Sequence, residues 1–445
     1  MKKYVTEKQQ NECIETIQTL ISYPSYLREE TTDGTPFGQD IVDVLDKMLA
    51  ICKEMGMSTF RDPEGYYGYA EYGEGKEMLA VLCHLDVVPP GNLEKWETEP
   101  FKGEVRDGFL VGRGSQDDKG PAMAALYGFK ALLDNDVNFN KRVRFIFGTD
   151  EENLWRCMDK YNEKEEKATM GFAPDAEFPL TYAEKGLLQV KLKGAGDATL
   201  ALNCGGALNV VPGEAAYEGI DLEAVIKNLK AANFEYEEKN NGVTVLGKAI
   251  HSKDANQGTN ALARLAMALA PLTENQAVQF IAKEVKEDAK AIGIFGELSD
   301  QMSGVLTFNV ASLKVTAEES EIGIDIRIPV SADKEEVVAK LTALAQAYDL
   351  TYEEFDYLAS LYVPLDSPLV KTLLAVYQEK TGDMSEPMSS GGATFARTME
   401  NCVAFGAVMP DSPITFHQEN EKMSLRDIFG AMDIYAESIY RLCCE

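Results

Sequence analysis

Long apolar segments, a basic charge excess and paired cysteine motifs are all missing from this sequence of 445 residues. No segment approaches the ~18 consecutive apolar residues of a membrane-spanning helix. The first residues, MKKYVTEKQQNE, contain no apolar stretch of the kind that a secretory signal needs. The eight cysteines include no Cys-x-x-Cys pair, a pattern typical of a reducing compartment. We therefore expect a cytoplasmic protein that does not enter a membrane.

Acidic residues outnumber basic residues, since the sequence contains 73 aspartates and glutamates but 43 lysines and arginines. The formal net charge is −30. Binding to nucleic acid or to anionic lipid depends on a basic face, so the sequence argues against both partners. A solvated acidic surface explains most of this charge, although clustered carboxylates also attract metal cations. Histidine is scarce too, with three in the chain, and the position of each is therefore informative.

The chain is too long for one ordinary hydrophobic core, which predicts two or three domains. Strand-like and helical segments alternate up to about residue 186, which favours an α/β domain with a mainly parallel sheet covered by helices. Later segments, among them LTFNVASLKV and IGIDIRIPV, alternate apolar and polar residues and predict an α+β unit. We therefore predict that residues 187–365 form a domain inserted into an α/β domain of residues 1–186 and 366–445.

Acidic residues and histidines form five groups, several of them directly after predicted strands. LCHLD places His84 and Asp86 two positions apart, so their side chains point to the same side of a strand. In parallel sheets, ligand crevices lie beyond the carboxyl ends of the strands. The other groups lie in GRGSQDDKGP, FGTDEE, FAPDAE and ITFHQENE, and contribute Asp117, Asp118, Asp150, Glu151, Glu152, Asp175 and His417.

Each group alone has a simpler explanation. A His-x-Asp pair is commonly a local hydrogen bond, adjacent aspartates can stabilise a helix start, and the acids at 150–152 could be a solvated corner. Taken together, carboxylates crowded at one crevice would repel each other unless a cation held them. Histidine and carboxylate ligands suit Zn²⁺ or another divalent ion. Five or more such ligands predict two ions that share a bridging carboxylate, an arrangement suited to hydrolysis.

In this order, the groups resemble the signatures of the dinuclear zinc peptidase family that includes aminoacylases, glutamate-type carboxypeptidases and bacterial dipeptidases. The matching segments are HLDVVPPG, WETEPFKGEVRDGFLVGRGSQDDKGP, GTDEE, GKAIHS, SSGGATFAR and HQENE. TPFGQDI and EENLWRCMDKY resemble in particular the dipeptidase V type, which acts on Xaa-His and β-alanyl dipeptides. The resemblance implies a catalytic α/β domain, an inserted α+β lid domain and two divalent ions, with Zn²⁺ expected and Mn²⁺ as the alternative.

The resemblance also implies a task for each matching residue. One ion would be bound by His84 and Asp175 and the other by Glu152 and His417, with Asp117 as the bridge. Glu151 would be the general base, Asp86 would orient His84, and His251 would donate a hydrogen bond to the oxyanion. Arg327 would clamp the terminal carboxylate of the substrate, and other substrate contacts would come from Asn209, Gly391 and Gly392.

The predicted activity is hydrolysis of unblocked dipeptides by a monomeric enzyme whose partner is a small peptide. Asp175 stands where aminoacylases and glutamate-type carboxypeptidases commonly carry glutamate, which favours the aminopeptidase and dipeptidase side of the family. The alternatives are an N-acyl or N-succinyl amino acid amidohydrolase of the same family and, more remotely, a binding protein without catalysis. Asn153 and Leu154 replace the serine–glycine pair of dipeptidase V types, so the substrate preference, including β-alanyl-histidine, is left open.

Overall fold

A computed structural model describes residues 3–28, 34–219 and 221–444, and the chain divides into two compact units. Unit 1 comprises residues 1–182, 362–388 and 394–445, and unit 2 comprises residues 183–361 and 389–393. The predicted boundaries lay after residues 186 and 365. Residues 389–393, which the sequence placed in the α/β domain, group with unit 2 instead. The identification of unit 2 as a lid stays a prediction.

Helices and strands alternate along the described part of the chain. Its helices are α1 (Glu7–Ile21), α2 (Gln39–Glu54), α3 (Lys119–Leu133), α4 (Arg156–Lys164), α5 (Leu222–Ala231), α6 (Ala261–Leu269), α7 (Gln276–Phe280), α8 (Ile292–Phe295), α9 (Lys334–Ala347), α10 (Pro368–Thr381) and α11 (Leu425–Cys443). Its strands are β1 (Ser58–Arg61), β2 (Tyr67–Tyr72), β3 (Met78–His84), β4 (Glu104–Arg106), β5 (Phe109–Val111), β6 (Arg142–Gly148), β7 (Met170–Ala173), β8 (Ala176–Glu177), β9 (Thr181–Glu184), β10 (Gly186–Ala195), β11 (Leu202–Gly205), β12 (Glu214–Tyr217), β13 (Tyr236–Lys239), β14 (Gly242–Leu246), β15 (Ser299–Asp300), β16 (Gly304–Val305), β17 (Thr307–Val315), β18 (Glu319–Ile328), β19 (Thr351–Leu358), β20 (Leu361–Tyr362), β21 (Met388–Ser390), β22 (Cys402–Ala404), β23 (Ala407–Val408) and β24 (Lys422–Ser424). None of these helices combines the length and the apolar character needed to cross a bilayer.

Unit 1 is organised around a mixed sheet with the strand order β1-β2-β6-β3-β7-β22-β9-β20. The four neighbours β6, β3, β7 and β22 are parallel. At the flanks, β1, β2 and β9 pair antiparallel with their neighbours. The expected parallel arrangement therefore describes the centre of the sheet, whereas its flanks are antiparallel.

The central strand β3 explains why the sheet is covered by helices. Every residue of its sequence MLAVLCH is buried, as expected for a strand that is apolar on both faces. Helix α3, which is apolar on nearly all sides, packs against β3 and also against α1 and α11. At Gly128 of α3, a Cβ atom would lie 2.7 Å from the carbonyl oxygen of Met432, so glycine permits the close approach of α11.

A short hairpin outside the main sheet carries the predicted Asp-Gly turn. Strands β4 and β5 pair antiparallel, and the turn residues Asp107 and Gly108 both have positive φ, at 51° and 79°. Two positive φ values are the requirement of a type I′ turn, which Asp-Gly satisfies at low cost. The strand β24, from the far end of the chain, pairs with the free side of β5.

Unit 2 contains an antiparallel sheet with the order β11-β17-β18-β10-β19 and a separate three-stranded sheet, β12-β14-β13. In β10, Leu188, Val190 and Leu192 are buried and the residues between them are more exposed, which is the period of a half-buried strand. These side chains join a hydrophobic core to which α6 and α7 contribute. Unit 2 is therefore an α+β unit, as its alternating sequence predicts.

The stability of unit 1 should depend on β3. Leu79 is fully buried and lies opposite Val143 of β6 and Met170 of β7. Because a cavity would remain in the core, we expect Leu79→Ala to lower the free energy of unfolding by about 2–5 kcal/mol. Leu93→Ala is the control, since Leu93 is 63% exposed, and it should change the free energy by less than about 0.5 kcal/mol. Equal losses in urea titrations would contradict the central place of β3.

Candidate metal centre

Three neighbouring parallel strands bring acidic residues and a histidine to one edge of the sheet of unit 1. Strand β3 ends at His84, β6 ends at Gly148 shortly before Glu151, and β7 ends at Ala173 shortly before Asp175. Because β6, β3 and β7 run in the same direction side by side, their carboxyl ends open onto one crevice. The position of these groups at a common edge follows from the strand order.

The pairing of β5 with β24 brings two further residues to the same place. Strand β5 leads into the loop that carries Asp117, and β24 follows the loop that carries His417. Val111 at the end of β5 lies opposite Lys422 at the start of β24. This pairing holds the two loops next to each other although they are far apart in the sequence.

Asp117 lies between two histidines, with one carboxylate oxygen toward each. Its Oδ1 is 2.9 Å from Nε2 of His84, and its Oδ2 is 3.0 Å from Nε2 of His417. Nε2 of His84 is also 3.6 Å from Oδ2 of Asp175, and Nε2 of His417 is 2.9 Å from Oε2 of Glu152. The five side chains form two groups of three, and Asp117 belongs to both. The geometry is that of two adjacent cation sites with a shared carboxylate.

The ligand atoms fit a pair of divalent cations. In a tetrahedral zinc site with bonds of ~2.0–2.2 Å, neighbouring ligand atoms lie about 3.4 Å apart. The four separations between nitrogen and oxygen atoms run from 2.9 to 3.6 Å. In addition, Oε1 of Glu152 is buried and has no hydrogen-bond partner among the described residues. Nitrogen and carboxylate donors without sulfur suit Zn²⁺ and Mn²⁺.

The electrostatics of the cluster favour added positive charge. Burial, reinforced by the charge of Asp117, raises the pKa of Asp175 to about 6 and the pKa of Glu152 to about 7. Burial acts to lower the pKa of His417, but hydrogen bonds with Asp117 and Glu152 outweigh it and raise this pKa to about 11. The pKa of His84 is also raised well above its usual value, because the carboxylates around it outweigh its burial. Divalent cations at these positions would remove the repulsion between the carboxylates.

The imidazole of His84 lies closer to a main-chain carbonyl oxygen than to the carboxylate that was predicted to orient it. Its Nδ1 lies 2.9 Å from the carbonyl oxygen of Asp86 and 3.6 Å from the carboxylate of the same residue. The carboxylate of Asp86 instead accepts a hydrogen bond from the main-chain N–H of Glu152, at 3.0 Å. Asp118, to which the sequence assigned no role, accepts one from the main-chain N–H of His84. Orientation of the imidazole by the Asp86 carboxylate therefore stays a prediction.

Glu151 belongs to neither group of candidate ligands. Its pKa is raised well above the usual value, first by burial and then by the negative charges of Asp175 and Glu152. Glu151 is adjacent in sequence to Glu152, on the turn that follows β6. A carboxylate that neighbours the ligands without being one of them is expected of a general base, and this role of Glu151 stays a prediction.

The turn that carries Glu151 is held at both ends. The indole Nε1 of Trp155 donates a hydrogen bond to the carbonyl oxygen of Glu151 at 2.6 Å. Asp150 is fully buried and forms a bidentate ion pair with Arg156, with both distances at 2.7 Å. Leu154, at the departure from the dipeptidase V pattern, is 47% exposed. The substitution therefore changes a surface-exposed side chain in a turn whose ends are fixed.

The residues predicted to bind substrate come together in unit 2, around Ser252. Its main-chain N–H donates to the carbonyl oxygen of Asn209 at 2.8 Å, and its hydroxyl accepts a hydrogen bond from Arg327 at 3.2 Å. Arg327 also donates to the carbonyl oxygen of Gly391 at 2.9 Å. We call Asn209, His251, Arg327 and Gly391 the His251 cluster. Gly392 is adjacent in sequence, and its N–H donates to Ser390.

Two residues of the His251 cluster are held by partners that the sequence analysis missed. Arg327 is buried and forms a bidentate ion pair with Asp325, at 2.7 and 3.0 Å. Nδ1 of His251 accepts a hydrogen bond from the main-chain N–H of Lys253 at 3.1 Å. A Cβ atom on Gly391 would lie 2.8 Å from Cβ of Lys253, so the close approach that this glycine permits is to Lys253.

The protonation of His251 follows from its surroundings. Burial, followed by the positive charges of Arg327 and Lys253, lowers the pKa of His251 to about 4. The imidazole is therefore neutral at pH 7, and because Nδ1 accepts a hydrogen bond, the proton is on Nε2. Asp325 could have been found from the sequence, since it lies two positions before Arg327 on a strand and so shares its face.

Comparison with known proteins identifies the family. Residues 80–441 match the model of Peptidase family M20/M25/M40, and the chain belongs to this family. A protein of Bacillus subtilis (strain 168) that bears the name "Putative dipeptidase YtjP" is 35% identical over 459 residues, which cover 98% of each chain. A protein of Staphylococcus haemolyticus with the name "Putative dipeptidase SH1171" is 33% identical over 472 residues and 100% of each chain. The family inferred from the sequence motifs, a family of metallopeptidases, is confirmed.

Solved structures confirm the fold class. The di-peptidase Dug1p from Saccharomyces cerevisiae superimposes with a TM-score of 0.63, at 16% identity, over 97% of this chain and 96% of that chain. The aminoacylhistidine dipeptidase from Vibrio alginolyticus gives a TM-score of 0.62, at 13% identity, over 99% and 98%. The YXEP protein of Bacillus subtilis, described as a dinuclear metal binding peptidase from M20 family, gives 0.55 at 13% identity over 98% and 99%.

Divalent ions should stabilise the metal-stripped protein through Asp117. Ions that bind the folded chain stabilise it by about 2.7 kcal/mol when their free concentration is 100-fold above the Kd. We therefore expect Zn²⁺ or Mn²⁺ to raise the midpoint of thermal unfolding, and Asp117→Asn to remove most of this shift. Asp62→Asn is the control, because Asp62 is a buried aspartate that pairs with Lys164 outside the cluster. The same shift in the wild type and in Asp117→Asn would contradict the bridging position.

Proposed function

We propose that this chain is a metal-dependent dipeptidase that hydrolyses unblocked dipeptides with the help of two divalent ions, Zn²⁺ first and Mn²⁺ as the alternative. The observation that carries the proposal is the position of Asp117, whose two oxygens each face one histidine and one group of candidate ligands. The names of the relatives at 33–35% identity support the substrate class. Asp175, in place of the glutamate of aminoacylases, supports it as well.

The first part of the proposal concerns the chemistry at the ions. His84 and Asp175 would hold one ion, Glu152 and His417 would hold the other, and Asp117 would contribute to both sites. When bound, two divalent ions would supply positive charge that lowers the pKa of a water molecule and polarises the scissile carbonyl. Glu151, the neighbour of Glu152 in the sequence, is outside the two groups of candidate ligands.

The carboxylate of Glu151 transfers the proton in this proposal. Glu151 takes a proton from the attacking water and delivers it to the nitrogen of the leaving amine. Trp155 and the Asp150–Arg156 pair keep the turn in place while the proton is transferred. Asp86 fixes the same turn from the other side, through its hydrogen bond with the N–H of Glu152.

The second part concerns the substrate contacts of the His251 cluster. Nε2–H of the neutral His251 donates a hydrogen bond to the carbonyl oxygen as negative charge develops there. Arg327 binds the terminal carboxylate of the dipeptide. Four of its five N–H groups have the partners named above, which leaves one N–H of Nη1 for the substrate. Asn209, whose side chain is exposed, and the main chain at Gly391 and Gly392 provide further contacts.

The proposal includes the surroundings in which the enzyme works. Its partner is a small peptide, and we propose a monomer in the cytoplasm. The cytoplasm is proposed from the sequence, whose eight cysteines include no Cys-x-x-Cys pair, a pattern typical of a reducing compartment. Sedimentation equilibrium should give one chain mass, and twice that mass would overturn the monomer.

The substrate class can be tested with a matched pair of compounds. We expect the metal-stripped protein to be inactive, and Zn²⁺ or Mn²⁺ to restore cleavage of alanyl-alanine but not of N-acetyl-alanyl-alanine. Glu151→Gln should bind both ions and lower kcat by about 10²–10⁴-fold, since the proton acceptor is lost. Glu163→Gln, on the exposed surface, is the control. Cleavage of the acetylated compound alone would favour the N-acyl amino acid amidohydrolase instead.

The carboxylate clamp can be tested by comparing a dipeptide with its amide. Arg327→Lys should lower kcat/KM for alanyl-alanine by about 10–100-fold, because a hydrogen bond to a charged group contributes ~1.5–3 kcal/mol. The same substitution should change kcat/KM for alanyl-alanine amide far less. Arg264→Lys, which alters a partly buried arginine paired with Glu287 in the same unit, is the control. Equal losses for both compounds would assign Arg327 a purely structural role.

A further inference from the structure

The loop of His417 ends in a glutamate that has no role in the mechanism above. The side chain of Glu421 is fully buried, and its Oε2 accepts a hydrogen bond from Nη1 of Arg113 at 2.6 Å. Its Oε1 accepts from the main-chain N–H groups of Gly114, Gln116 and Asp117, at 3.0, 2.9 and 3.2 Å. One carboxylate from the loop of His417 therefore holds the loop that leads to the bridging aspartate.

A second side chain, from the loop of Asp117, contacts the loop of His417. The side chain of Gln116 is buried, and its Nε2 donates to the carbonyl oxygen of Pro413 at 2.9 Å. Its Oε1 accepts from the main-chain N–H groups of Thr415 and Phe416, at 2.6 and 2.9 Å. The residue immediately before Asp117 therefore holds three of the four residues that precede His417.

These two contacts lie next to Asp117, which both ligand groups share, and next to His417, which belongs to one group. Oδ2 of Asp117 lies 3.0 Å from Nε2 of His417. His417 has a φ of 61°, in the left-handed region that few residues other than glycine adopt. Such a conformation persists where the surroundings enforce it. Gln116 and Glu421 supply that enforcement, since they fix both loops against each other.

We propose that Gln116 and Glu421 are positioning residues that set the separation of Asp117 from His417, and with it the affinity for the second of the two ions. This inference rests on the proposed function, because it concerns the same metal centre. The group of His84, Asp117 and Asp175 contains no residue of the His417 loop. Loosening that loop should therefore weaken one ion site and leave the other.

The decisive experiment is a Zn²⁺ titration of the metal-stripped protein against a chromophoric chelator. Gln116→Met keeps the length of the side chain and removes its donor and acceptor. We expect one ion to bind as in the wild type and the other to bind 10–100-fold more weakly, the range found when outer contacts of metal ligands are removed. After dialysis, the variant should retain one ion per chain where the wild type retains two. Its kcat should recover as Zn²⁺ is raised.

Two further variants complete the test. Gln279→Met is the matched control, because Gln279 is a buried glutamine that donates to two carbonyl oxygens in unit 2 and lies outside the site. It should lower the thermal midpoint without changing either affinity. Glu421→Gln, which keeps the shape of the side chain but removes its negative charge toward Arg113, should also weaken the ion of the His417 group if Gln116→Met does not fold. Wild-type affinity for both ions in Gln116→Met or in Glu421→Gln would overturn the inference, whereas a wild type that binds fewer than two ions would overturn the proposed function itself.

Discussion

The arrangement of unit 1 depends on one constraint, the crowding of carboxylates around Asp117. Asp117, Glu152 and Asp175 lie so close together that burial and mutual repulsion raise the pKa of the latter two to about 7 and about 6. Two histidines are the cationic partners that the chain itself provides. Such a cluster is tolerable when positive charge is added. Asp117 meets this requirement on both sides, because it presents one carboxylate oxygen to each histidine.

The fold meets this constraint by combining a rigid edge with two loops that stabilise each other. His84 lies at the carboxyl end of β3, and Glu151 and Asp175 follow the carboxyl ends of β6 and β7, strands that are paired with β3. Asp117 and His417 come from loops, and their positions depend on the β5–β24 pairing and on the buried contacts of Gln116 and Glu421. The loops are the part of the site in which single substitutions should have the most selective effects.

The sequence predicts those parts of the structure that depend on local patterns of residues. The apolar sequence of β3, the Asp-Gly turn and the alternation in β10 each predict their own element, and strand ends followed by acids predict the edge at which the cluster lies. Contacts between distant segments have no such pattern. The antiparallel flanks of the sheet, the grouping of residues 389–393 with unit 2 and the partners of Glu421 depend on pairings that only the folded chain displays. Asp325 is different, because its spacing from Arg327 already places both on one face of a strand.

The central claim is that two ions lie on either side of Asp117. The most direct measurement is anomalous X-ray scattering from a crystal of the protein loaded with Zn²⁺, recorded on both sides of the zinc absorption edge. The account predicts two anomalous peaks per chain, one beside His84 and Asp175 and one beside Glu152 and His417, roughly 3.5–4 Å apart. A single peak, or peaks that do not contact Asp117, would contradict it.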